Sequence, residues 1–302
     1  MNELEAHTHY LWSVCYRMTA SASDADDLVQ ETFLRALEQP PLDTSRPWRP
    51  WLTRVALNLA IDALRRRKRA PYDGPWLPEP FVSKEAPADP PSEAPPPDER
   101  ISMLESATYA FLIAAEALSE DQRAVLLLRD VCELSGEETA ALLELSLDNV
   151  KQILHRARAT LAPYYAHRTF PSAALAERNQ RALAAFLAAV DRKDVEATID
   201  TLTDDAVSVS DGGGRVKAAL TPVQGARGVA RLHIGLAEEY AAPLGVQTAW
   251  LNGLPALVVE FAPRGRGYAT RFIVRCDSDG DGRVRALHTI MNPMKLVRLR
   301  LP

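Results

Sequence analysis

The sequence predicts a multidomain chain: two all-α modules followed by an α+β domain. Three observations carry this. Residues 1 to about 69 contain no glycine and repeat their apolar residues at helical spacing. Residues 70–97 hold ten of the 22 prolines, mixed with acidic and small residues, which is the composition of an extended, semi-stiff linker. From about residue 176, two helical stretches give way to period-2 apolar runs divided by Gly and Pro. Residues 98 to about 162 between them are again helix-patterned. The expected organisation is 1–69, a linker over 70–97, 98–165, and 176–302. A length of 302 residues and an apolar fraction of 47 % accommodate two or three such cores.

In the first module, Asp24–Glu38 is expected to form an amphipathic helix. Ala25, Val29, Thr32, Phe33, Ala36 and Leu37 fall on one arc and Asp24, Asp27, Glu31, Arg35 and Glu38 on the other. The acidic arc reads as an ordinary solvated face or as a dock for a basic partner. After the Pro-broken loop Pro40–Pro47, a second helix is expected from Trp48 to about Arg67. Asn58, Asp62 and Arg65 share one face of it. This helix runs into Arg65, Arg66, Arg67, Lys68 and Arg69, so that Arg54 to Arg69 carries +5 in a chain whose net charge is −5. A basic block on an acidic chain marks a place that meets an anion. Trp48 and Trp51 beside it suit stacked, unpaired bases, although cations also settle at helix C-termini without any ligand.

The second module opens with two capping boxes, Ser119–Gln122 and Ser135–Glu138. They predict a helix to about Val131 and a short helix to about Leu143. A tight turn, Glu144–Ser146, follows, and Ser146 caps a third helix, Leu147–Leu161. Short helix, turn and longer basic helix is the helix-turn-helix pattern. Val150, Ile153, Leu154, Ala157 and Leu161 are expected inside. Asp148, Asn149, Lys151, Gln152, His155 and Arg156 are expected outside, where Asn and Gln suit adenine edges and Arg and Lys suit guanine or phosphate. Lys151 to Arg168 carries +4 with no acidic residue.

In the third region, helices are expected over Glu177–Asp191, Val195–Leu202 and Val229–Tyr240. Strands are expected over Ala206–Ser210, Val246–Leu251, Ala256–Phe261, Ala269–Cys276 and Arg283–Ile290. Asp205, Asp211, His233 and His288 are the acid–base candidates. Asp211, ahead of Gly212, Gly213 and Gly214, reads as a turn residue. Asp277–Gly282 has part of a calcium-loop spacing, but position 288 is His rather than Glu, and Asp-Gly between β runs signals a hairpin turn. Cys15, Cys132 and Cys276 are far apart and form no metal or disulfide pattern. No cofactor, no metal and no membrane association is expected, and the chain reads as cytoplasmic.

These segments together resemble the extracytoplasmic-function sigma factors of the sigma-70 family. The resemblance rests on Asp24–Phe33 (DADDLVQETF), on Trp51–Asp62 (WLTRVALNLAID) running into Arg65–Arg69, and on Leu118 through Arg158. It implies that the first module is region 2 and the second is region 4. Asp24, Asp27, Gln30, Glu31 and Arg35 would meet the β′ clamp helices of core RNA polymerase, with the β flap as a further partner. Trp48, Trp51, Arg54, Asn58, Asp62, Arg65 and Arg66 would hold the −10 element as single strand. The Leu147–Leu161 helix would read the −35 element as duplex. The family usually has Gly where this chain has Glu144, so a non-Gly residue must take the turn, with φ > 0 at modest cost.

A narrower resemblance is to members carrying a SnoaL-like (NTF2-like) extension: the linker segment Trp76-Leu-Pro-Glu-Pro80, then Asp211-Gly-Gly-Gly214 with Arg215, then Asn292-Pro-Met-Lys-Leu296. It implies a sheet wrapped on helices with a cone-shaped pocket. Trp76, Leu77, Pro78, Asp211–Gly214, Asn292, Pro293, Lys295 and Leu296 are then expected as regulatory contacts. The extension would pack on the first module and on the linker, standing in place of an anti-sigma factor. The reading is a promoter-specificity subunit, not an enzyme. A free-standing helix-turn-helix regulator and a SnoaL-type enzyme with a DNA-binding half are the alternatives.

Overall fold

The computed structural model describes residues 2–43, 45–83, 107–166, 171–240, 242–297 and 299. The expected linker residues 84–97, the expected start of the second module at 98–106, and Arg168 lie outside them. The chain divides into two compact units, one from 1–71 and 93–169, the other from 72–92 and 170–302.

The first unit begins with helices α1 (Asn2–Glu5), α2 (Thr8–Thr19), α3 (Ala22–Glu38) and α4 (Trp48–Arg69). Ala20 ends α2 in the left-handed conformation, and the Ser21 hydroxyl accepts from the Asp24 amide at 3.1 Å to start α3. Leu11, Tyr16 and Met18 of α2, Leu28 and Val29 of α3, and Leu52, Leu57 and Leu64 of α4 are buried together. Each such side chain withdrawn from water contributes about 1.5–3 kcal/mol. The expected inner arc of α3 needs one correction. Leu37 is 67 % exposed while Leu28 is buried, because the buried stripe runs through Ala25, Leu28, Val29, Thr32 and Ala36.

Helices α5 (Tyr109–Ala115), α6 (Glu120–Leu126), α7 (Gly136–Leu143), α8 (Leu147–Thr160) and α9 (Ala162–Ala166) complete this unit. Both capping boxes form. The expected helix to Val131 is instead α6 followed by a π-helical turn, Leu127–Val131. Glu144 takes φ 55°, ψ 41°, the left-handed turn position expected of it. Val125, Ala140 and Val150 form the core of the helix-turn-helix. Arg123, 2 % exposed, ties this set to the first: it donates to the Met18 carbonyl at 2.7 Å, to the Ala115 carbonyl and to Glu116 at 2.7 Å.

The second unit holds α10 (Ala173–Asp191), α11 (Val195–Asp200), β1 (Leu202–Asp211), β2 (Val223–Gln224), α12 (Ala226–Glu239), β3 (Gly245–Leu251), β4 (Leu254–Glu260), β5 (Arg271–Ser278), β6 (Val284–Ile290) and α13 (Pro293–Leu296). The six-stranded sheet has the order β2-β1-β6-β5-β4-β3. Only the β1–β6 pair is parallel. Phe186 of α10, Val229 and Ala230 of α12, and Val274 and Leu287 of the sheet share one core. All five expected strands are present; β2, two residues long, is additional. The segment Tyr72–Ser83, part of the expected linker and expected to meet this domain around Trp76–Pro80, is packed within this unit. Val82 bridges Leu251, Ser83 N–H donates to the Trp250 carbonyl at 2.9 Å and Asn252 N–H to the Phe81 carbonyl at 3.1 Å, so the segment pairs with the last residues of edge strand β3, whose first four stay exposed.

Candidate nucleic-acid interface and linker anchor

Helix α8 stands on Val150, Ala157 and the half-buried Ile153 and Leu154. Asp148, Asn149, Lys151, Gln152, His155 and Arg156 are all exposed on its other side. The Ser146 hydroxyl accepts from Asn149 N–H at 3.2 Å and fixes the start of the helix. Arg158, by contrast, is bound to the buried Asp130 at 2.9 Å and braces α8 against the π turn.

On α4, Asn58, Asp62, Arg65 and Arg66 are exposed along one side. The Trp48 and Trp51 rings meet edge to face with centroids 6.3 Å apart. Trp51 and Arg54 open on a cleft of about 880 Å3 whose far wall includes Val131, Glu133 and Glu138. Much of the basic block is engaged within the unit. Arg67 donates to Thr19 O at 2.5 Å and Glu116 at 2.7 Å, Lys68 lies 3.1 Å from Glu120, and Arg65 lies 3.6 Å from both Asp62 and Asp121. Arg54 pairs with Glu144. The pairs of Arg65 and Arg54 are exposed on both sides and contribute about 0–1 kcal/mol each.

On α3, Asp27, Gln30 and Arg35 are exposed, and Arg35 pairs with Glu31 at 3.1 Å. Asp24 is half-buried beside Ser21, and burial raises its carboxyl above the usual range. Leu34 and Leu37, 53 % and 67 % exposed, lie among these polar residues.

In the second unit the three motif segments meet at one carboxylate. Asp211 is wholly buried at the end of β1, not in a turn as its glycines suggested. Its carboxylate accepts from the Tyr72 hydroxyl at 2.5 Å, Leu77 N–H at 2.9 Å and Lys295 Nζ at 2.6 Å. Lys295 also donates to the Leu77 carbonyl and lies 4.0 Å over the Trp76 ring. Asn292 caps α13, accepting from Met294 N–H at 3.0 Å, and donates from Nδ2 to the Tyr72 hydroxyl at 3.1 Å. The glycines make room for this knot. A Cβ on Gly213 would stand 2.2 Å from Asn292 Nδ2, and one on Gly214 would stand 2.6 Å from an Asp73 carboxylate oxygen; both have positive φ. Sequence reasoning named these segments as contacts but missed Tyr72 and Asp73 as participants.

The acid–base candidates are not brought together. His233 bonds Ser208 Oγ at 3.0 Å and packs on Phe186, and burial lowers its pKa to about 4. His288 is buried 3.8 Å from Asp277, its pKa also lowered to about 4 by burial. Asp205 is exposed. Of Asp277–Gly282, Asp277 and Ser278 end β5 and the rest turns into β6, with Asp279 accepting from Asp281 N–H at 3.0 Å and Arg283 N–H at 2.8 Å. Among the described residues no helix is long and apolar enough to cross a membrane.

Comparison with known proteins agrees with this arrangement. The family profile of Sigma-70 region 2 matches residues 4–70, and that of Sigma-70 region 4 matches 111–161. The chain is 31 % identical to the ECF RNA polymerase sigma factor SigJ of Mycobacterium tuberculosis over 98 % of its own length and 92 % of that protein's. It is 34 % identical to SigG of the same species over 67 % of its length and 59 % of that protein's. The crystal structure of M. tuberculosis SigJ superposes with a TM-score of 0.72 at 28 % identity, covering 100 % of this chain and 99 % of that one. Two sigma-70 regions in order, followed by an α+β domain matched end to end by a relative, lead to one conclusion: the chain belongs to the extracytoplasmic-function RNA polymerase sigma factors.

Proposed function

We propose that this sigma factor engages core RNA polymerase through Asp24, Asp27, Gln30, Glu31 and Arg35 on α3, against the β′ clamp helices, with the β flap as a second contact. Trp48, Trp51, Arg54, Asn58, Asp62, Arg65 and Arg66 hold the −10 element as single strand. Asp148, Asn149, Lys151, Gln152, His155 and Arg156 meet the −35 duplex. The single observation that supports this reading best is the outward face of α8, where six polar or charged side chains stand exposed on a capped helix with a tight turn before it. Phosphate contacts supply salt-dependent affinity and a few base contacts supply choice. A sequence pI of about 5.8 disfavours strong binding to DNA by the free chain, so polymerase delivers it. The protein acts in the cytoplasm and is not itself an enzyme.

The C-terminal SnoaL-like domain regulates in cis by holding the linker that joins the two promoter-binding regions, in the role an anti-sigma factor plays elsewhere. The knot around Asp211 supports this: it grips Tyr72, Trp76 and Leu77 of that linker. The test is competition of the full-length protein with another sigma factor for core polymerase, followed by run-off transcription from the selected promoter. Competition, with altered promoter output in Asp211→Asn, supports both parts. Absence of core association overturns the sigma assignment of these residues. Unchanged output in Asp211→Asn overturns the regulatory part.

A further inference from the structure

The second unit holds a cavity of about 390 Å3 beneath α10 and α12, open to solvent at a rim that includes Ala237, Pro243 and Val246. This lies at the lower end of the range typical of small-molecule sites. Its floor is one face of the sheet. Register shows why the lining is continuous: Ser210 is paired with Thr289, Thr289 with Val274 and Val274 with Leu257 across four strands. The neighbouring row brings Val259 beside Phe272. Phe261 and Phe272 stack with centroids 5.3 Å apart, and the Tyr240 ring lies 4.9 Å from Phe261 and 6.2 Å from Phe272.

The chemistry of this lining is selective. Among the described residues no Lys or Arg contributes to it, and the one carboxylate among them, Asp191, is exposed. An anion would find no cationic partner. The aromatic walls offer planar faces and edges at stacking distance. Ser210, His233 and Thr289 supply a small set of neutral hydrogen-bonding groups. The fit is to an uncharged aromatic molecule with one polar end.

The cavity is joined to the linker anchor through the backbone. Ser210 lines the cavity, and Asp211, the next residue, binds the linker. Met291 lines the cavity, and Asn292, the next residue, binds Tyr72. The two strand ends are fastened to each other, since Met291 N–H and Asn292 N–H both donate to the Asp211 carbonyl, at 2.8 and 2.9 Å. A molecule touching Ser210 and Met291 therefore touches the two residues whose neighbours hold the linker.

We propose that the cavity binds an uncharged aromatic small molecule, and that its occupation tightens the hold of Asp211 and Asn292 on the Tyr72–Leu77 linker segment. This makes the extension a ligand-responsive control of the linker, and it rests on the regulatory reading of the anchor given above. A molecule held by Ser210 and Met291 is thereby linked to the two residues that anchor the linker, so under this proposal binding and anchoring favour each other reciprocally.

The test uses full-length protein and 1-aminoanthracene, a neutral fluorescent aromatic, as the probe. Fluorescence titration reads binding, and hydrogen exchange of the Gly74–Phe81 segment reads the anchor, since Leu77 N–H donates to Asp211. The expected result is saturable binding, with exchange at Leu77 slowed about tenfold at probe concentrations ten times Kd. Ala237→Trp, a substitution at an exposed rim position, is expected to weaken binding at least tenfold and abolish the slowing. Leu257→Phe, which fills the floor from a half-buried position, is a second blocking variant should the first misfold. Absence of saturable binding, equal binding in both blocking variants, or saturation without slowing at Leu77 would overturn the proposal. Asp211→Asn without probe separates this from failure of the anchor itself: if it leaves Leu77 exchange unchanged, the anchor reading fails first.

Discussion

Asp211→Asn tests the anchor most sharply. The carboxylate is wholly buried, accepts three hydrogen bonds, and is paired at 2.6 Å with a lysine side chain only 10 % exposed. Removing one charge of a buried pair strands the other, at a cost of about 3–5 kcal/mol. Because Leu77 N–H bonds this carboxylate, the cost falls on the local opening that lets Leu77 exchange. At 1.36 kcal/mol per tenfold, protection of Leu77 should drop by about a hundredfold to a few thousandfold. Lys295→Met should do much the same from the other side. The double variant has no stranded charge, so its loss should fall short of the sum of the singles by about 2 kcal/mol or more. Hydrogen exchange of the Gly74–Phe81 segment in the four proteins is the assay. A loss under tenfold in Asp211→Asn, or strict additivity in the double variant, would refute the account of a buried charge pair fastening the linker.

Three further outcomes are expected. Gly213→Ala should loosen the same segment, because its Cβ would stand 2.2 Å from Asn292 Nδ2 at a φ of +56°; Leu77 exchange should rise, with little change in far-UV circular dichroism. Glu144→Gly should leave the first unit equally stable or stabilise it by up to about 1 kcal/mol in urea unfolding, since relief of the left-handed strain is offset only by an exposed pair with Arg54; a loss above about 1 kcal/mol contradicts this. Burial holds His288 at a pKa of about 4 against an ordinary 6.5, with Asp277 opposing the shift and Arg275 adding to it. The unfolded chain thus binds the extra proton first, and stability falls as pH drops from about 6.5 towards 4, by roughly 3 kcal/mol from this group. His288→Asn should flatten urea-unfolding stability against pH in that window; an unchanged slope would contradict the assignment.

What the sequence made legible was local. Ser119 with Gln122 and Ser135 with Glu138 predict helix starts because both halves of a capping box lie within one turn, and both boxes form. The exposed face of α8 followed from a 3.6-residue period, and the left-handed Glu144 from the family pattern. The misses were of another kind. Leu37 was placed inside α3 and Leu28 overlooked, because a wheel assigns an arc without knowing where the neighbouring helix ends. The π turn after α6 owes its form to tertiary packing, since no residue at Leu127–Val131 breaks a helix. Asp211 reads as a turn residue beside three glycines. Its burial depends on Tyr72, Leu77 and Lys295, and no periodicity links residues so far apart. The cavity lining likewise follows from strand register, which sequence alternation alone leaves open.

The separation of the anchor's parts along the chain also sets a clock. Tyr72 and Asn292, which share a hydrogen bond, are 220 positions apart. At synthesis rates of about 5–20 residues per second, that distance corresponds to about 10–45 s of elongation. The helices before the linker are complete as this interval opens, and Asn292, the cap of α13, is added at its close. Every newly made molecule therefore passes through a period in which the linker is unheld by this domain. Chains interrupted before β6 would stay in that condition, so on the regulatory reading proposed above, translational arrest in this stretch would release a factor whose linker lacks the Asn292 and Lys295 contacts.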